Sequence, residues 1–424
     1  MSRTEDVRRT EGLRRTSAAA SAEAIARVPP RSRIIDLATS LPAWAAILTA
    51  FVASRVLSTF WLALAWPLIG RAQPANAIRG NDHGFFAFLT SWDGQYYETI
   101  SVHGYPTVLP VDGDGHVLQN AWAFLPAFPF TIRALTASTG MPFQVGAPII
   151  ATIAGLAATF LLYVLVRDQA GPTAAMWGVL FFCLGPLSFL LEVGYAESMF
   201  LALTFGALIA IQRQRYLTLT VLGVAAAFTR PGALAIPLTL AVIALVRYWR
   251  ARRGEDAFPL RERIAVVAAG LVMGAAGFAW PGIASMVTGR PNAYLETEMS
   301  WWVAFIGRVD FVPMTPWFLT GWHWLGVGGV LLVLVIVGGY TYWLTRRSTR
   351  SLGLLTITFS VAYALYIFAV SLPMASTPRL IMPLAPLVAS PELVAKPWTR
   401  WVMIAGALVG QPVLIAVLWL MGPP

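Results

Sequence analysis

Cysteine and charged residues are scarce in this 424-residue sequence. Cys183 is the single cysteine and lies inside an apolar run, so neither an intramolecular disulfide nor a cysteine metal cluster can form. Charged residues make up 12% of the chain, whereas hydrophobic residues make up 57%. No soluble domain needs so much apolar surface, and the composition therefore predicts an all-α polytopic membrane protein.

Several signature motifs are also missing. The sequence has no Walker loop, no Rossmann glycine fingerprint, no His-x-x-x-His pair and no Gly-x-Ser-x-Gly elbow. ATP-driven, dinucleotide-dependent, zinc and serine-hydrolase chemistry are therefore not first choices. The net charge is +10, but the basic residues concentrate in the N-terminal arm and in short loops between apolar runs. This is the positive-inside pattern of membrane proteins, and we expect no nucleic-acid partner.

The N-terminal arm differs from the rest of the chain. Residues 1–36 are rich in arginine and poor in apolar residues, which predicts a disordered basic cytoplasmic tail. Residues 37–424 are predicted to form one membrane-embedded domain. A cleavable signal peptide is not expected, because the first apolar run begins too late and is too long. That run leads from inside to outside, which makes the first loop, residues 70–120, extracytoplasmic.

Apolar runs along the chain predict about eleven membrane spans, several of them short and therefore buried against neighbours. The arginine-rich loops can all be cytoplasmic only if residues 122–133, which contain Pro126 and Pro129, lie at the membrane surface instead of crossing. Residues 192–198, 229–232, 290–322 and 373–379 then face outside. The predicted spans are 41–69, 145–166, 174–191, 199–211, 217–228, 233–246, 264–287, 324–344, 352–372, 380–388 and 401–421.

The polar, aromatic stretch from residue 91 to residue 106 organises the chain. We expect a short helix starting at Gly94, with the carboxylate of Asp93 as its N-cap and Gly104 as its stop. A carboxylate would then sit beside aromatic surface. The alternative remains open that this is an interfacial helix, with rings at headgroup level and Asp93 only as a cap.

Ionisable residues beside helix breaks gather on the predicted outer side. Carboxylates and guanidiniums that converge there would suit an anionic lipid head group and a polar partner. The alternative is that Glu197 pairs with Arg230 or Arg379 as a structural contact only. Arg55, inside the first span, is expected to be a snorkelling or packing residue. The residues on the outer side are Asp93, Glu98, Glu192, Glu197, Arg230 and Arg379.

Asp112 and Asp114 form an Asp-x-Asp pair, which can hold a divalent cation with a diphosphate. Each is followed by glycine, and the segment lies between apolar pairs, which is typical of a hairpin turn. We favour the turn. A divalent metal is therefore possible but not indicated, and no metal ligand or cofactor is assigned.

Five short motifs, taken in order, resemble the PIG-V-type mannosyltransferase family of GT-C glycosyltransferases, including its bacterial, actinobacterial members. Each motif is weak alone, and their order and spacing carry the similarity. The motifs are Ser91-Trp92-Asp93-Gly94 with His103-Gly104-Tyr105-Pro106, residues 124–129, Tyr195-Ala196-Glu197-Ser198, Thr229-Arg230-Pro231-Gly232, and Pro378-Arg379 ahead of residues 383–387.

The resemblance implies a GT-C-type helical bundle whose first loop carries short juxtamembrane helices and the active site. It implies transfer of mannose from polyprenyl-phosphate mannose, on the extracytoplasmic side and with inversion, with Asp93 as the catalytic carboxylate. The acceptor, a lipid-linked or glycan molecule, stays open, because bacteria do not make GPI. Membrane lipids are the other expected partners. The expected substrate-binding residues are Trp92, Tyr96, Tyr97, Glu98, His103, Tyr105, Glu197, Arg230 and Arg379.

General chemistry fits this role. Inverting transfer needs a carboxylate near the acceptor hydroxyl and a cation beside the departing phosphate, which arginine can hold bidentately. A helix N-terminus would lower the pKa of Asp93, whereas burial beside Trp92 and Tyr97 would raise it. Two other functions remain open: a transporter or flippase for a lipid-linked sugar, and a non-catalytic subunit of a mannosyltransferase complex.

Overall fold

The computed structural model describes residues 41–68 and 84–420. The chain divides into two compact units, residues 1–48 and 49–424. Only residues 41–48 of the first unit are described, and residues 43–48 form the start of the first helix. The predicted tail, residues 1–36, lies outside the described residues, as do residues 69–83 of the first loop.

Within the described residues the structure is helical and contains no strand beyond one isolated bridge, which confirms the predicted all-α class. Six helices are long and apolar enough to cross a membrane, so the chain is a multi-pass membrane protein by length and composition. The six spans lie wholly or mainly in α1 (Ala43–Leu68), α5 (Phe143–Ala170), α9 (Ala235–Arg252), α10 (Leu260–Thr288), α13 (Val327–Thr345) and α18 (Pro397–Ile415).

Four further apolar helices are shorter, with 10 to 17 residues each. A helix of 12 residues is only about 18 Å long, less than the hydrocarbon thickness of a bilayer, so these helices depend on neighbours to cover their ends. Accordingly, α7 (Glu197–Gln212) is mostly buried and packs against α5 and against α8 (Tyr216–Ala227). The four are α6 (Pro172–Leu184), α7 (Glu197–Gln212), α8 (Tyr216–Ala227) and α15 (Leu354–Val370).

Ten of the eleven predicted spans correspond to these ten helices, and the prediction for residues 380–388 is wrong. This stretch forms the end of a four-residue helix and then a 3₁₀ helix, Met382–Ala389. Pro383 and Pro386 lack the N–H groups that a continuous α-helix needs, which accounts for the tighter, shorter element. An eight-residue 3₁₀ helix rises only about 16 Å and cannot span a bilayer.

The first loop carries α2 (Phe85–Leu89) and α3 (Asp93–His103), and α3 ends at Gly104 with φ 79°, as predicted. A tight turn follows, closed by the bridge between Val111 and Val117, so the turn predicted at Asp112–Gly115 is confirmed as a local structure. The proline-containing segment after it forms α4 (Ala127–Thr139). At 13 residues α4 is too short to cross alone, which agrees with the prediction that this segment does not span.

Helix breaks at one end of the bundle position the charged side chains. Glu197 is the first residue of α7, and Arg230 precedes the 3₁₀ turn Pro231–Leu234 that leads into α9. Arg379 lies in the four-residue helix that follows α15. The break after Arg230 packs tightly, because a Cβ added to Gly232 would lie 2.7 Å from Cε2 of Tyr363 on α15.

The remaining described helices are mostly short connections between the spans. The longest of them are α11 (Ala293–Ile306) and α12 (Pro316–Leu325), which lie in the loop between α10 and α13. In chain order, the four-residue helices are α14 (Arg347–Arg350), α16 (Thr377–Leu380) and α17 (Pro391–Val394).

Candidate functional site

Two carboxylates and two guanidiniums meet at this end of the bundle and form what we call the charge cluster: Asp93, Glu197, Arg230 and Arg379. Nη1 of Arg379 lies 2.5 Å from Oδ2 of Asp93 and 3.2 Å from Oε1 of Glu197. The same Oε1 of Glu197 accepts a hydrogen bond from Nη1 of Arg230 at 2.5 Å. Glu197 therefore bridges both arginines, and residues up to 286 positions apart in sequence meet in one network.

The charge cluster is buried and formally neutral. Asp93 is 7% exposed, Glu197 3% and Arg379 8%, whereas the side chain of Arg230 is 17% exposed. Buried charges persist only when they are paired. The pairing is incomplete, because Oε2 of Glu197 and Nε of Arg379 are buried without a hydrogen-bond partner. These two atoms leave the cluster with unused donor and acceptor capacity.

Asp93 does not cap its helix, so that part of the prediction is wrong. The helix begins at Asp93 itself, and no side chain caps it. The carboxylate turns instead to Arg379, because a buried charge is stabilised more by an opposite charge than by a backbone N–H. Burial raises the pKa of Asp93, and the Arg379 guanidinium opposes that shift.

Tyr195 supports Asp93 from the break before α7. Its hydroxyl accepts a hydrogen bond from the backbone N–H of Asp93 at 3.2 Å and donates one to the carbonyl of Ser91 at 3.3 Å. The guanidinium carbon of Arg379 lies 5.3 Å from the centre of the Tyr195 ring, within cation–π range. The fully buried Tyr195 thus contacts both the backbone of Asp93 and the guanidinium of Arg379.

Trp92, immediately before Asp93, has φ 58° and ψ −116°, a conformation that non-glycine residues rarely adopt. Its indole N–H donates to the carbonyl of Trp419 at 3.0 Å. The strained turn is thus tied to the last part of the described chain. Trp92 therefore influences the geometry of Asp93 through the backbone, while its indole N–H is bonded to the carbonyl of Trp419.

Two predicted tyrosines form an aromatic wall next to the cluster. The ring of Tyr96 stacks on Phe124 at 4.7 Å between centroids and meets Trp301 edge to face at 5.6 Å. Tyr97 is buried between Phe124 and Phe128. These aromatic contacts fix the face of α3 that carries Asp93.

Glu98 and Tyr105, two other predicted residues, have partners outside the charge cluster. Glu98 accepts a hydrogen bond from Nε2 of Gln144 at 2.7 Å. His103 lies at the far end of α3, about 15 Å along the helix axis from Asp93. Tyr105 packs against Trp122 and donates its hydroxyl proton to the carbonyl of Phe124. Any role of these three in substrate binding stays a prediction.

Arg55 and Glu192 form a second, separate ion pair. Nη1 of Arg55 lies 3.7 Å from Oε2 of Glu192 and donates to the carbonyl of Ser188 at 2.6 Å. Burial raises the pKa of Glu192 to about 7, against the opposing effect of Arg55. Both side chains are 9% exposed, so Arg55 does not snorkel, and its predicted packing role is the one observed.

Glu298 is a candidate that the sequence analysis missed. It lies on α11, one turn after Tyr294, whose hydroxyl influences the carboxylate. Burial raises the pKa of Glu298 to about 7, and the charges of Arg230 and Asp93 also act on it. The spacing of Tyr294, Glu298 and Trp301 places all three on one helix face, and this signal is present in the sequence.

Asp112, Asp114 and His116 could offer three ligand atoms to a metal ion, since these atoms lie within 4.8 Å of one another. The turn itself uses much of that capacity. Oδ1 of Asp112 accepts the backbone N–H groups of Asp114 and His116, and Oδ2 pairs with Arg308 at 2.5 Å. The backbone N–H bonds to Asp112 lower the pKa of its carboxyl group. The geometry of this segment is explained by the turn alone.

A cavity of about 410 Å³ opens at the opposite ends of α7, α9 and α15. It is larger than the 10 Å³ space beside Glu197 and Arg230. Its charged lining groups are already paired, Asp168 with Arg213 and Arg247 with Asp256 and Glu262. We therefore place the candidate site at the charge cluster, which brings two carboxylates and two guanidiniums together.

Comparisons with known proteins identify the family of the chain. A model of the family described as Mannosyltransferase (PIG-V) matches residues 38–269. The chain is 25% identical over 159 residues to the human GPI alpha-1,6-mannosyltransferase 2, a match that covers 35% of this chain and 30% of that protein. The mouse protein of the same name is 25% identical over 155 residues, covering 34% and 29%. The matched part is thus less than a third of these curated relatives.

Solved structures to which the chain is similar include ArnT from Cupriavidus metallidurans bound to undecaprenyl phosphate. It is 15% identical with a TM-score of 0.45, and the match covers 86% of this chain and 59% of that one. The Archaeoglobus fulgidus oligosaccharyltransferase in complex with Zn and sulfate is 12% identical with a TM-score of 0.42, covering 87% and 51%. The family match includes Asp93, Glu197 and Arg230 and extends over more than half of the 424 residues; the chain belongs to the mannosyltransferase (PIG-V) family.

Proposed function

We propose that this protein is an integral membrane mannosyltransferase. It transfers mannose from polyprenyl-phosphate mannose to a lipid-linked or glycan acceptor on the extracytoplasmic side, with inversion at the anomeric carbon. Residues 37–424 form its GT-C-like catalytic domain. The observation that carries the proposal is the charge cluster, in which Asp93 and two arginines converge at one end of an otherwise apolar bundle.

The reaction forms a bond between the acceptor oxygen and the anomeric carbon of mannose and breaks the bond from that carbon to the phosphate oxygen. The acceptor hydroxyl loses its proton, and the leaving polyprenyl phosphate gains one negative charge. Asp93 is the proposed proton acceptor, because general-base catalysis needs a carboxylate at the acceptor hydroxyl. Arg379 and Arg230 are the proposed phosphate ligands, because guanidinium groups bind phosphate oxygens bidentately and keep their charge when buried.

The neutrality of the charge cluster suits this exchange of charge. As Asp93 takes up the proton it loses its negative charge, and at the same time the phosphate becomes more negative. Arg379 contacts Asp93 at 2.5 Å, and as the carboxylate becomes neutral this guanidinium can pair with the phosphate instead. Glu197 would keep the two arginines together during this change, since it binds both.

The one-sided position of the helix breaks supports an enzyme over a transporter for a lipid-linked sugar. A transporter of that kind is expected to have broken helices near the membrane midplane in both halves of the chain. Here the breaks before Glu197, at Arg230 and at Arg379 all contribute to the same cluster. Among the described residues, no arrangement favours the transporter specifically.

The test is an assay of purified protein with radiolabelled polyprenyl-phosphate mannose and a membrane lipid extract of the source organism. We expect label to appear in a lipid or glycan product that is distinct from the donor. Heat-inactivated protein and an extract-free reaction are the controls. A purified, folded protein that binds the donor but transfers no label would contradict an enzymatic role and favour that of a non-catalytic subunit.

A further inference from the structure

Glu298 has a local environment unlike that of the other acidic residues nearby. It is partly exposed, and the hydroxyl of Tyr294, one turn earlier on the helix, influences its carboxylate. Among the described residues it forms no ion pair, whereas Glu296, two residues earlier on the same helix, pairs with Arg290 at 2.7 Å. A carboxylate can accept several hydrogen bonds. The acceptor sites that Glu296 uses for Arg290 are therefore still available on Glu298.

The helix α11 turns this carboxylate toward the charge cluster. Trp301, one turn after Glu298, packs against Tyr96 and Phe124, so this face of α11 lies against the aromatic wall of α3. Four titratable side chains interact electrostatically with Glu298. Two are the tyrosines Tyr294 and Tyr366, and the other two, Arg230 and Asp93, belong to the charge cluster. Glu298 is thus a neighbour of the proposed proton acceptor and of one proposed phosphate ligand.

Burial and pairing distinguish the three carboxylates of this region. Asp93 and Glu197 are almost fully buried and bound by arginines, which suits catalysis and support of the phosphate ligands. Glu298 is partly exposed and forms no ion pair among the described residues. A molecule that approaches the cluster from outside can therefore reach its carboxylate without breaking an existing ion pair.

We propose that Glu298 binds the acceptor: its carboxylate accepts a hydrogen bond from a sugar hydroxyl of the acceptor and so presents the attacking hydroxyl to Asp93. The inference rests on the proposed function and names the class of acceptor, a molecule with a saccharide next to the attacked hydroxyl. Sites that hydrogen-bond a substrate hydroxyl through a partly buried group discriminate strongly against molecules that lack it.

The protonation state of Glu298 gives the proposal a second readout. Burial raises the pKa of Glu298 to about 7, while the Tyr294 hydroxyl and Arg230 act in the opposite direction. Above that pH the carboxylate is charged and accepts a strong hydrogen bond. As the pH falls below about 7 the group becomes protonated, so acceptor binding weakens.

The experiment compares Glu298→Gln with Glu296→Gln, the same substitution two residues away in an exposed ion pair. Transfer is measured at saturating radiolabelled polyprenyl-phosphate mannose against increasing amounts of membrane lipid extract from the source organism. We expect Glu298→Gln to raise the half-saturating amount of extract by roughly 10- to 100-fold, the range for loss of a charged hydrogen bond, with donor affinity unchanged. Glu296→Gln should match the wild type.

The same titration at pH 6 and pH 8 adds the second readout. The wild type should need more extract at pH 6 than at pH 8, and Glu298→Gln should lose this dependence. If Glu298→Gln does not fold, Tyr294→Phe replaces it: loss of the hydroxyl raises the pKa of Glu298, so the midpoint of the pH dependence should move upward.

Two failures can be told apart. If the wild type transfers label and Glu298→Gln behaves like Glu296→Gln, or loses maximal rate with an unchanged half-saturating amount, the acceptor role of Glu298 is wrong and the proposed function stands. For Tyr294→Phe, an unmoved midpoint has the same meaning. If the wild type transfers nothing, the proposed function fails and the role of Glu298 fails with it.

Discussion

At the scale of single residues, the partner of the Asp93 carboxylate differs from the one that the local sequence suggests. Locally it stands where an N-cap would, at the start of α3. In the folded chain its carboxylate binds Arg379, 286 positions away. The interpretation in which Asp93 serves only as a cap is therefore not supported, since no side-chain capping hydrogen bond is present at this helix.

We predict that Asp93→Asn lowers the transfer rate by about 10²- to 10⁴-fold, the usual cost of losing a general base. Donor binding should persist, because the arginines remain. Transfer rate, donor affinity and melting temperature are measured together, with the exposed Asp310→Asn as control. A near-wild-type rate in a folded Asp93→Asn protein would refute the catalytic role of Asp93.

Arg379→Lys is predicted to weaken donor binding by roughly 10-fold or more and to lower turnover as well. The ammonium keeps one charge but cannot hold two phosphate oxygens while also contacting Glu197. Arg308→Lys, which changes an exposed pair with Asp112, is the matched control. Donor affinity equal to the wild type in Arg379→Lys would mean that the phosphate binds elsewhere.

At the scale of elements, interruptions of helices are the informative features. The breaks at Glu197, Arg230 and Arg379 place polar residues at helix ends, where backbone groups are free and side chains can turn inward. The proline-rich residues 380–388 show the limit of interpreting apolar runs as spans. Hydrophobicity alone could not distinguish a membrane span from a buried 3₁₀ helix.

The hairpin at Asp112–Gly115 is predicted to be dispensable for transfer. A double variant, Asp112→Asn with Asp114→Asn, keeps side-chain acceptors for the turn while removing both charges. The expected transfer rate is within about twofold of the wild type, with or without added Mg²⁺ or Mn²⁺, because surface substitutions of this kind have small effects. A loss as large as that of Asp93→Asn would reopen a metal role for this pair.

At the scale of the whole molecule, the charge cluster and the arginine-rich loops lie at opposite ends of the same helices. Arg247 and Arg253 close the far end of α9, while Arg230 precedes its near end. Because basic loops remain in the cytoplasm, the near end is expected to face outside. The fold thereby separates a proposed outer reaction from an inner basic surface.

This topology predicts opposite labelling of two single-cysteine variants. Gly113→Cys lies in the exposed turn of the first loop, and Arg253→Cys lies at the arginine-rich end. A membrane-impermeant maleimide should label Gly113→Cys in intact cells and Arg253→Cys only after permeabilisation. The buried native Cys183 should stay unlabelled in both and serves as the internal control. The reverse pattern would invert the proposed orientation.

Composition and local pattern by themselves determined the class, most spans and the position of α3. These features follow from short-range physics: apolar runs of bilayer length, Gly104 at positive φ after α3, and Asp-Gly pairs at a turn. The motifs also contain all four members of the charge cluster, since each stands beside a visible helix break.

Only the tertiary structure decided which charges meet. The pairing of Asp93 with Arg379, the bridge through Glu197, and the separate pair of Arg55 with Glu192 join residues that are far apart in sequence. The spacing of Tyr294, Glu298 and Trp301 is visible in the sequence, but only the packing of α11 shows that this helix face lies against the aromatic wall. Sequence determines where a charge enters a helix, but long-range packing selects its partner, because burial makes an unpaired charge too costly to leave alone.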